Sequence, residues 1–326
     1  MIHRIPEDIR PAHPVRIPDD QVRTKLLELL GLEPIPGRVD YAVGSSEECD
    51  EGLTMTRLHY ANVLGEEVPA ILLIPARPAS RRVAGVVCLP GTSGDAEALA
   101  DEQFRRQERE SGPLLGWARE VARRGFATLS VTVKGTECRR KNVGHWEREA
   151  KWLAPYGRSQ MGLVVDETLR AARILADWEG VNSERVGLAG MSLGGNATWY
   201  GMACAPWISC GVAVCGGIGS LQPVIHQGDP GRHSSYFFIP HMLRFFDHPR
   251  VVRTCIAPRP FMMVAPTMDE DMPSAGVDEL IREVAPSYAQ AGASERFKVY
   301  RPETNHEFRL EFFEWAAAWF EANLMH

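Results

Sequence analysis

The sequence predicts an α/β protein, with a mostly parallel, doubly wound sheet, an antiparallel hairpin near its N-terminus and one long insertion. Three observations carry this reading. Residues 83–89 and 127–133 are continuous apolar runs, residues 114–124 and 161–178 are helical by spacing, and the two kinds of segment alternate from residue 83 onward. An unbroken apolar run belongs to a strand covered on both faces, which is the situation of a parallel strand with crossover helices.

The elements follow in chain order. Residues 1–18 carry Pro6, Pro11, Pro14 and Pro18, too many for regular structure, and read as an arm lying over the body. Asp19 or Asp20 can cap a helix whose apolar positions Val22, Leu26 and Leu29/Leu30 recur at helical spacing and which stops at Gly31. Residues 33–37 are a linker. Residues 54–60 and 68–74 are β-rich runs flanking the polar turn Gly65-Glu66-Glu67, an antiparallel pair. In the segment 161–178, Met161, Val164, Val165, Leu169, Ala172 and Leu175 form one apolar stripe. Further strands are expected at 186–190, 211–215, 261–265 and 297–300, and Phe308, Phe312, Trp315, Ala316, Trp319 and Phe320 face inward from a terminal helix. Residues 135–159 and 216–260 are irregular, and connections of that length often carry lids or binding loops. The whole chain, 1–326, is read as one domain with an arm and helix at 1–37 and a lid at 217–258.

Composition narrows the function classes. Lys plus Arg number 36 against 42 Asp plus Glu, a formal net charge of −6, which argues against nucleic acid as a partner. No stretch approaches the roughly 20 apolar residues of a membrane span, so no membrane partner is expected. Seven cysteines without a Cys-x-x-Cys pair, several inside apolar runs, read as small buried hydrophobes in a reducing compartment. With no secretory signal visible at residues 1–20, a cytoplasmic location is expected, although a removed signal peptide would leave no trace. The N-terminal arm can wrap its own body or a second copy, so a homo-oligomer stays open.

The chemistry-bearing stretch is Val186-Gly-Leu-Ala-Gly-Met-Ser-Leu-Gly-Gly195, an apolar run ending in Gly-x-Ser-x-Gly where a small-residue helix begins. A serine on such a strand-to-helix turn is held in a strained conformation with its hydroxyl exposed, and the flanking glycines keep strand and helix apart. The hydroxyl needs a base, and the base needs a carboxylate to hold its tautomer. After the strand at 261–265 comes the acidic loop Thr267-Met-Asp-Glu-Asp-Met272. After the strand at 297–300 comes Glu303-Thr-Asn-His-Glu-Phe308, which presents His306 just before the last helix. Loops at the carboxyl ends of strands line the crevice of an open α/β sheet. Ser192 is therefore the expected nucleophile and His306 its base. Three acids compete for the third role, with Asp269 favoured as nearest the strand end, Asp271 second, and Glu270 pointing away. The oxyanion needs two N–H donors. Leu193 opens the helix with a free N–H, and the loop Pro90-Gly-Thr-Ser-Gly94 after the first parallel strand offers Thr92.

Taken together, Gly190-Met-Ser-Leu-Gly-Gly195, Leu89-Pro-Gly-Thr-Ser-Gly94, Ala257-Pro-Arg-Pro-Phe-Met-Met-Val264 with Asp269, and Asn305-His-Glu-Phe308 resemble the α/β-hydrolase superfamily. Within it they resemble the dienelactone-hydrolase-like and acetyl-xylan-esterase-like serine esterases. The resemblance covers residues 54–326 and implies a Ser192, Asp269, His306 triad with an oxyanion hole from Leu193 and Thr92. Two positions depart from the relatives: dienelactone hydrolases proper use a cysteine where Ser192 stands, and many relatives have histidine where Pro90 stands.

Hydrolysis of a carboxylic ester through an acyl-enzyme is the expected activity, on a small-molecule or carbohydrate-linked ester, with no cofactor. A peptidase, an amidase, an acyltransferase or a non-catalytic binding protein on the same fold remain alternatives. In the insertion, His226, His233, His241 and His248 lie among five aromatics without acids at ligand spacing, so no metal is expected. Tyr236 and Phe237 are candidate pocket residues. Lys134, Arg139, Arg140 and Lys141 follow a strand end on the crevice side, either as a solvated charge run or as a dock for an anionic or carbohydrate substrate. In the second case Trp146 and Trp152 would serve as stacking platforms.

Overall fold

A computed structural model describes residues 6, 9–49, 52–76, 82–106, 114–139, 146–228 and 230–325. Among these, nine strands form one sheet: β1 (Tyr41–Cys49), β2 (Leu53–Ala61), β3 (Glu67–Pro75), β4 (Val83–Leu89), β5 (Ala127–Val131), β6 (Val181–Met191), β7 (Cys210–Val214), β8 (Phe261–Val264) and β9 (Phe297–Tyr300). Their order is β1-β2-β3-β5-β4-β6-β7-β8-β9. The first three strands form an antiparallel meander that joins β5 antiparallel. From β5 to β9 every pairing is parallel, for example Val87 opposite both Leu129 and Leu188.

The continuous apolar runs earn this position because alternate residues of one strand enter different cores. On β4, Val87 and Leu89 pack on one side with the helices α1 (Val22–Leu30), α5 (Gln160–Asp177) and α6 (Leu193–Cys204). Its Val86 and Cys88 pack on the other side with α3 (Trp117–Arg123) and α10 (Leu310–Leu324). The short α2 (Ala96–Leu99) and α4 (Trp146–Leu153) lie in the connections flanking α3 and β5. The insertion between β7 and β8 holds α7 (Leu221–Gln227), three 3₁₀ turns and α8 (His248–Val251), which continues into a π turn. After β8 comes α9 (Ser274–Gln290). Among the described residues, no helix is long and apolar enough to cross a membrane.

Local chemistry bears out one expectation and corrects another. The α1 helix does stop at Gly31, which takes a left-handed φ of 65°. Asp19, however, makes no cap. Its carboxylate is drawn to Arg250 and Arg253 of the insertion, at 2.8 Å from each, so that it ties the N-terminal segment to that region. Strand β1 is a strand the sequence does not announce, because this edge strand is exposed along nearly its whole length and shows no apolar alternation.

Candidate active site

Ser192 sits between the end of β6 and the start of α6 with φ 54° and ψ −115°, a conformation costly for a residue with a Cβ. Three bonds hold its backbone there, one of them from Asn196 Nδ2 to its carbonyl at 3.2 Å. Its N–H donates to the Val214 carbonyl of β7 at 2.9 Å, and its own carbonyl accepts from Asn196 N–H at 2.9 Å as the first turn of the helix. The neighbouring glycines are required by space. A Cβ at Gly190 would run into the Gly194 backbone, and one at Gly194 into the Leu89 carbonyl.

His306 lies in the loop between β9 and α10, and Asp269 in the loop after β8. The imidazole Nε2 is 2.9 Å from Ser192 Oγ, and its Nδ1 is 3.0 Å from each oxygen of Asp269. Of the three competing acids, Asp269 is the buried one, its side chain 2% exposed. Asp271 stands beside it, with Oδ2 3.7 Å from His306 Nδ1, while Glu270 pairs with Arg232. Burial works against a charged His306, but the hydrogen bond and charge of Asp269, aided by the charge of Asp271, outweigh it and hold the imidazole pKa above its ordinary value.

Ser192 and His306 open onto a cavity of about 190 Å³. Its wall includes Thr92, Leu99, Leu114, Trp117, Met191 and Phe308, with Asp271 its carboxylate. The Gly91 backbone lies beside Ser192: a Cβ there would sit in ordinary contact, 3.5 Å from Ser192 Cβ. Thr92 is anchored through its carbonyl, which accepts from Glu137 N–H at 2.8 Å. Leu193 buries its side chain completely, and as the first residue of α6 its N–H has no partner within the helix.

The expected pocket residues of the insertion lie elsewhere. Tyr236 and Phe237 are buried in the core and are not part of the cavity wall. Phe237 stacks on His233, centroids 4.2 Å apart, and meets His248 edge-on. An aromatic with a ring partner on either side gains more from packing than from facing a crevice. Trp146 is the first residue of α4, and its side chain lies outside the described part. Trp152 is 45% exposed on the same helix and is not in the cavity wall.

The cation cluster is likewise corrected. Lys134 Nζ is held by Glu149 at 2.7 Å and by Glu66, and Arg139 Nη1 by the fully buried Glu167 at 2.6 Å. Both charges are spent inside the protein; Arg140 and Lys141 lie outside the described residues. The wall around Ser192 comes from α2, α3, the end of β6 and the loops after β4, β8 and β9; the sequence offers Thr92, Asp271 and His306 of it as site residues, and signals Leu99, Leu114, Trp117 and Phe308 only as ordinary core. Among the described residues, Cys215, Asp269 and His306 offer ligand atoms within 4.8 Å of one another. Asp269 and His306 are bonded to each other, and the Cys215 thiol donates to the Glu307 carbonyl at 3.3 Å.

No family model matches the chain. A Bacillus subtilis (strain 168) protein named "Putative hydrolase YtaP" is 25% identical over 285 residues, covering 87% of this chain and 92% of that one. Among solved structures, a glucuronoyl esterase from Solibacter usitatus matches with a TM-score of 0.68 at 15% identity, over 92% of this chain and 91% of that one. An acetyl xylan esterase from Paenibacillus sp. R4 matches with a TM-score of 0.64 at 15% identity, over 98% of each chain. The strand order, the strained serine turn and these structural likenesses agree: the chain has the α/β-hydrolase fold that its motifs resemble.

Proposed function

We propose that the protein is a serine esterase that hydrolyses a carboxylic ester through an acyl-enzyme. The observation that carries this reading is the unbroken chain from Ser192 Oγ through His306 to Asp269, opening on a cavity. His306 Nε2 takes the Ser192 proton as Oγ attacks the ester carbonyl, and Asp269 fixes the tautomer and stabilises the imidazolium. The N–H groups of Leu193 and Thr92 receive the oxyanion. The intermediate collapses when His306 returns the proton to the leaving alcohol, and a water activated by the same imidazole then releases the acid. None of these steps calls for a cofactor.

The solved neighbours are named as esterases, which favours an ester over an amide as the bond cleaved. A cavity of about 190 Å³ is smaller than the roughly 300–1,000 Å³ of sites that enclose drug-sized ligands. With its Leu, Trp, Met and Phe wall, it suits a short acyl group, the alcohol part extending outward. The alcohol is then a small molecule or a carbohydrate.

The test is hydrolysis of p-nitrophenyl acetate by the wild type and Ser192→Ala. The variant should lose turnover by about 10⁶-fold, the scale seen when a triad serine is removed, while its far-UV circular dichroism stays unchanged. Retained turnover in the variant would overturn the reading.

A further inference from the structure

His306 faces two carboxylates. Asp269 bonds to Nδ1 with both oxygens, while Asp271 places Oδ2 3.7 Å from the same nitrogen. The two acids are locked together, because the Asp271 N–H donates to Asp269 Oδ1 at 2.9 Å. Asp271 is the more accessible of the pair, its side chain 26% exposed against 2%, and it borders the cavity. Its other oxygen, Oδ1, accepts from Arg232 Nε at 2.9 Å, and Arg232 also pairs with Glu270. Arg232 ends the 3₁₀ turn Pro230–Arg232, so the charge that meets Asp271 comes from the insertion and not from the sheet.

We propose that Asp271 is a second carboxylate for His306, sharing with Asp269 the orientation and charge of the imidazolium, and that Arg232 sets its share by pairing with it. Asp271 and Arg232 are then positioning residues, and the proposal rests on the esterase reading for its catalytic consequence. The other charged or titratable groups around the imidazole belong to different elements. They are Asp269 after β8, the buried Cys215 after β7, Glu307 next in the chain, and His233 of the insertion, which interacts with Asp271. Of the groups on the loop after β8, Asp271 is the one that touches both the base and the insertion.

The sign of each change follows. Asp271 favours the imidazolium, so Asp271→Asn lowers the His306 pKa; Arg232 disfavours it, so Arg232→Gln raises the pKa. In the active enzyme, the acidic limb of the kcat/KM profile moves down in pH for Asp271→Asn and up for Arg232→Gln. Asp269→Asn retains more residual turnover than the Asp269→Asn, Asp271→Asn double variant.

The experiment is an NMR titration of the His306 imidazole in the Ser192→Ala background, alone and with Asp271→Asn or Arg232→Gln. Opposite shifts in the two variants support the proposal; an unmoved His306 pKa in both overturns it. Arg232 is half exposed, so Arg232→Gln keeps the question answerable if Asp271→Asn folds poorly. The titration needs no turnover, so a chain that hydrolyses no ester but shows both shifts refutes the esterase reading and leaves the charge relation standing. A chain that hydrolyses esters with an unmoved histidine does the reverse.

Discussion

Ser192, His306 and Asp269 stand on three separate loops. Ser192 is fixed by the Val214 carbonyl and the first turn of α6 and Asp269 by the Asp271 N–H and by burial, while the bonds of His306 run to these two. The sequence located all three positions through strand ends. It chose between Asp269 and Asp271 by reach alone, and the structure separates them differently, by burial and by two short contacts against one longer one. A consequence at this scale is a pH dependence. In the proposed mechanism catalysis needs neutral His306, and its pKa is raised, so the imidazolium persists to higher pH than for a free histidine. Activity is therefore present above the raised pKa and lost as pH falls through it, with half-maximal kcat/KM above about 6.5. A pH series on p-nitrophenyl acetate measures this, and a midpoint below the ordinary histidine value contradicts it.

Among the elements, the turn from β6 into α6 was legible because its glycines answer a steric demand that leaves a trace in sequence: Gly190 and Gly194 have no room for a Cβ. The loop after β5 was not. Its cations look like a solvated run in sequence, but the partners that neutralise Lys134 and Arg139, namely Glu66, Glu149 and Glu167, come from the β2–β3 turn, α4 and α5. Glu167 is the hub. It accepts from Arg139, from Asn62 Nδ2 at 2.8 Å and from Lys134 N–H at 2.6 Å. The same loop supplies the Glu137 N–H that holds Thr92 in the cavity wall with Ser192. Glu167→Gln removes the carboxylate that, among the described residues, pairs directly with Arg139 in a largely buried site. Breaking such a pair typically costs about 3–5 kcal/mol. Urea unfolding should show that loss as a lower midpoint, with kcat reduced as the Thr92 loop loosens; an unchanged midpoint would show that the ion pair is dispensable.

At the scale of the molecule, the alternation of apolar runs and helices made the parallel half of the sheet readable, because each buried strand must satisfy two cores at once. The edge escaped for the opposite reason. Strand β1 buries almost nothing, so its sequence has no pattern to keep. The cavity wall escaped as well. Leu99, Trp117 and Phe308 look like core residues in sequence, and only the packing of α2, α3 and the loop before α10 turns them toward Ser192. Conversely, the aromatics of the insertion look like a pocket and are core: Phe237 is 2% exposed between His233 and His248. The whole arrangement reduces to one claim, that this fold activates a single serine hydroxyl. Labelling with a fluorophosphonate, followed by peptide mass spectrometry, tests it most directly, because the reagent phosphonylates only a serine whose proton is being removed. One adduct per chain at Ser192, lost in Ser192→Ala and strongly reduced in His306→Ala, is the result expected; an unlabelled chain, or an adduct at another residue, would contradict it.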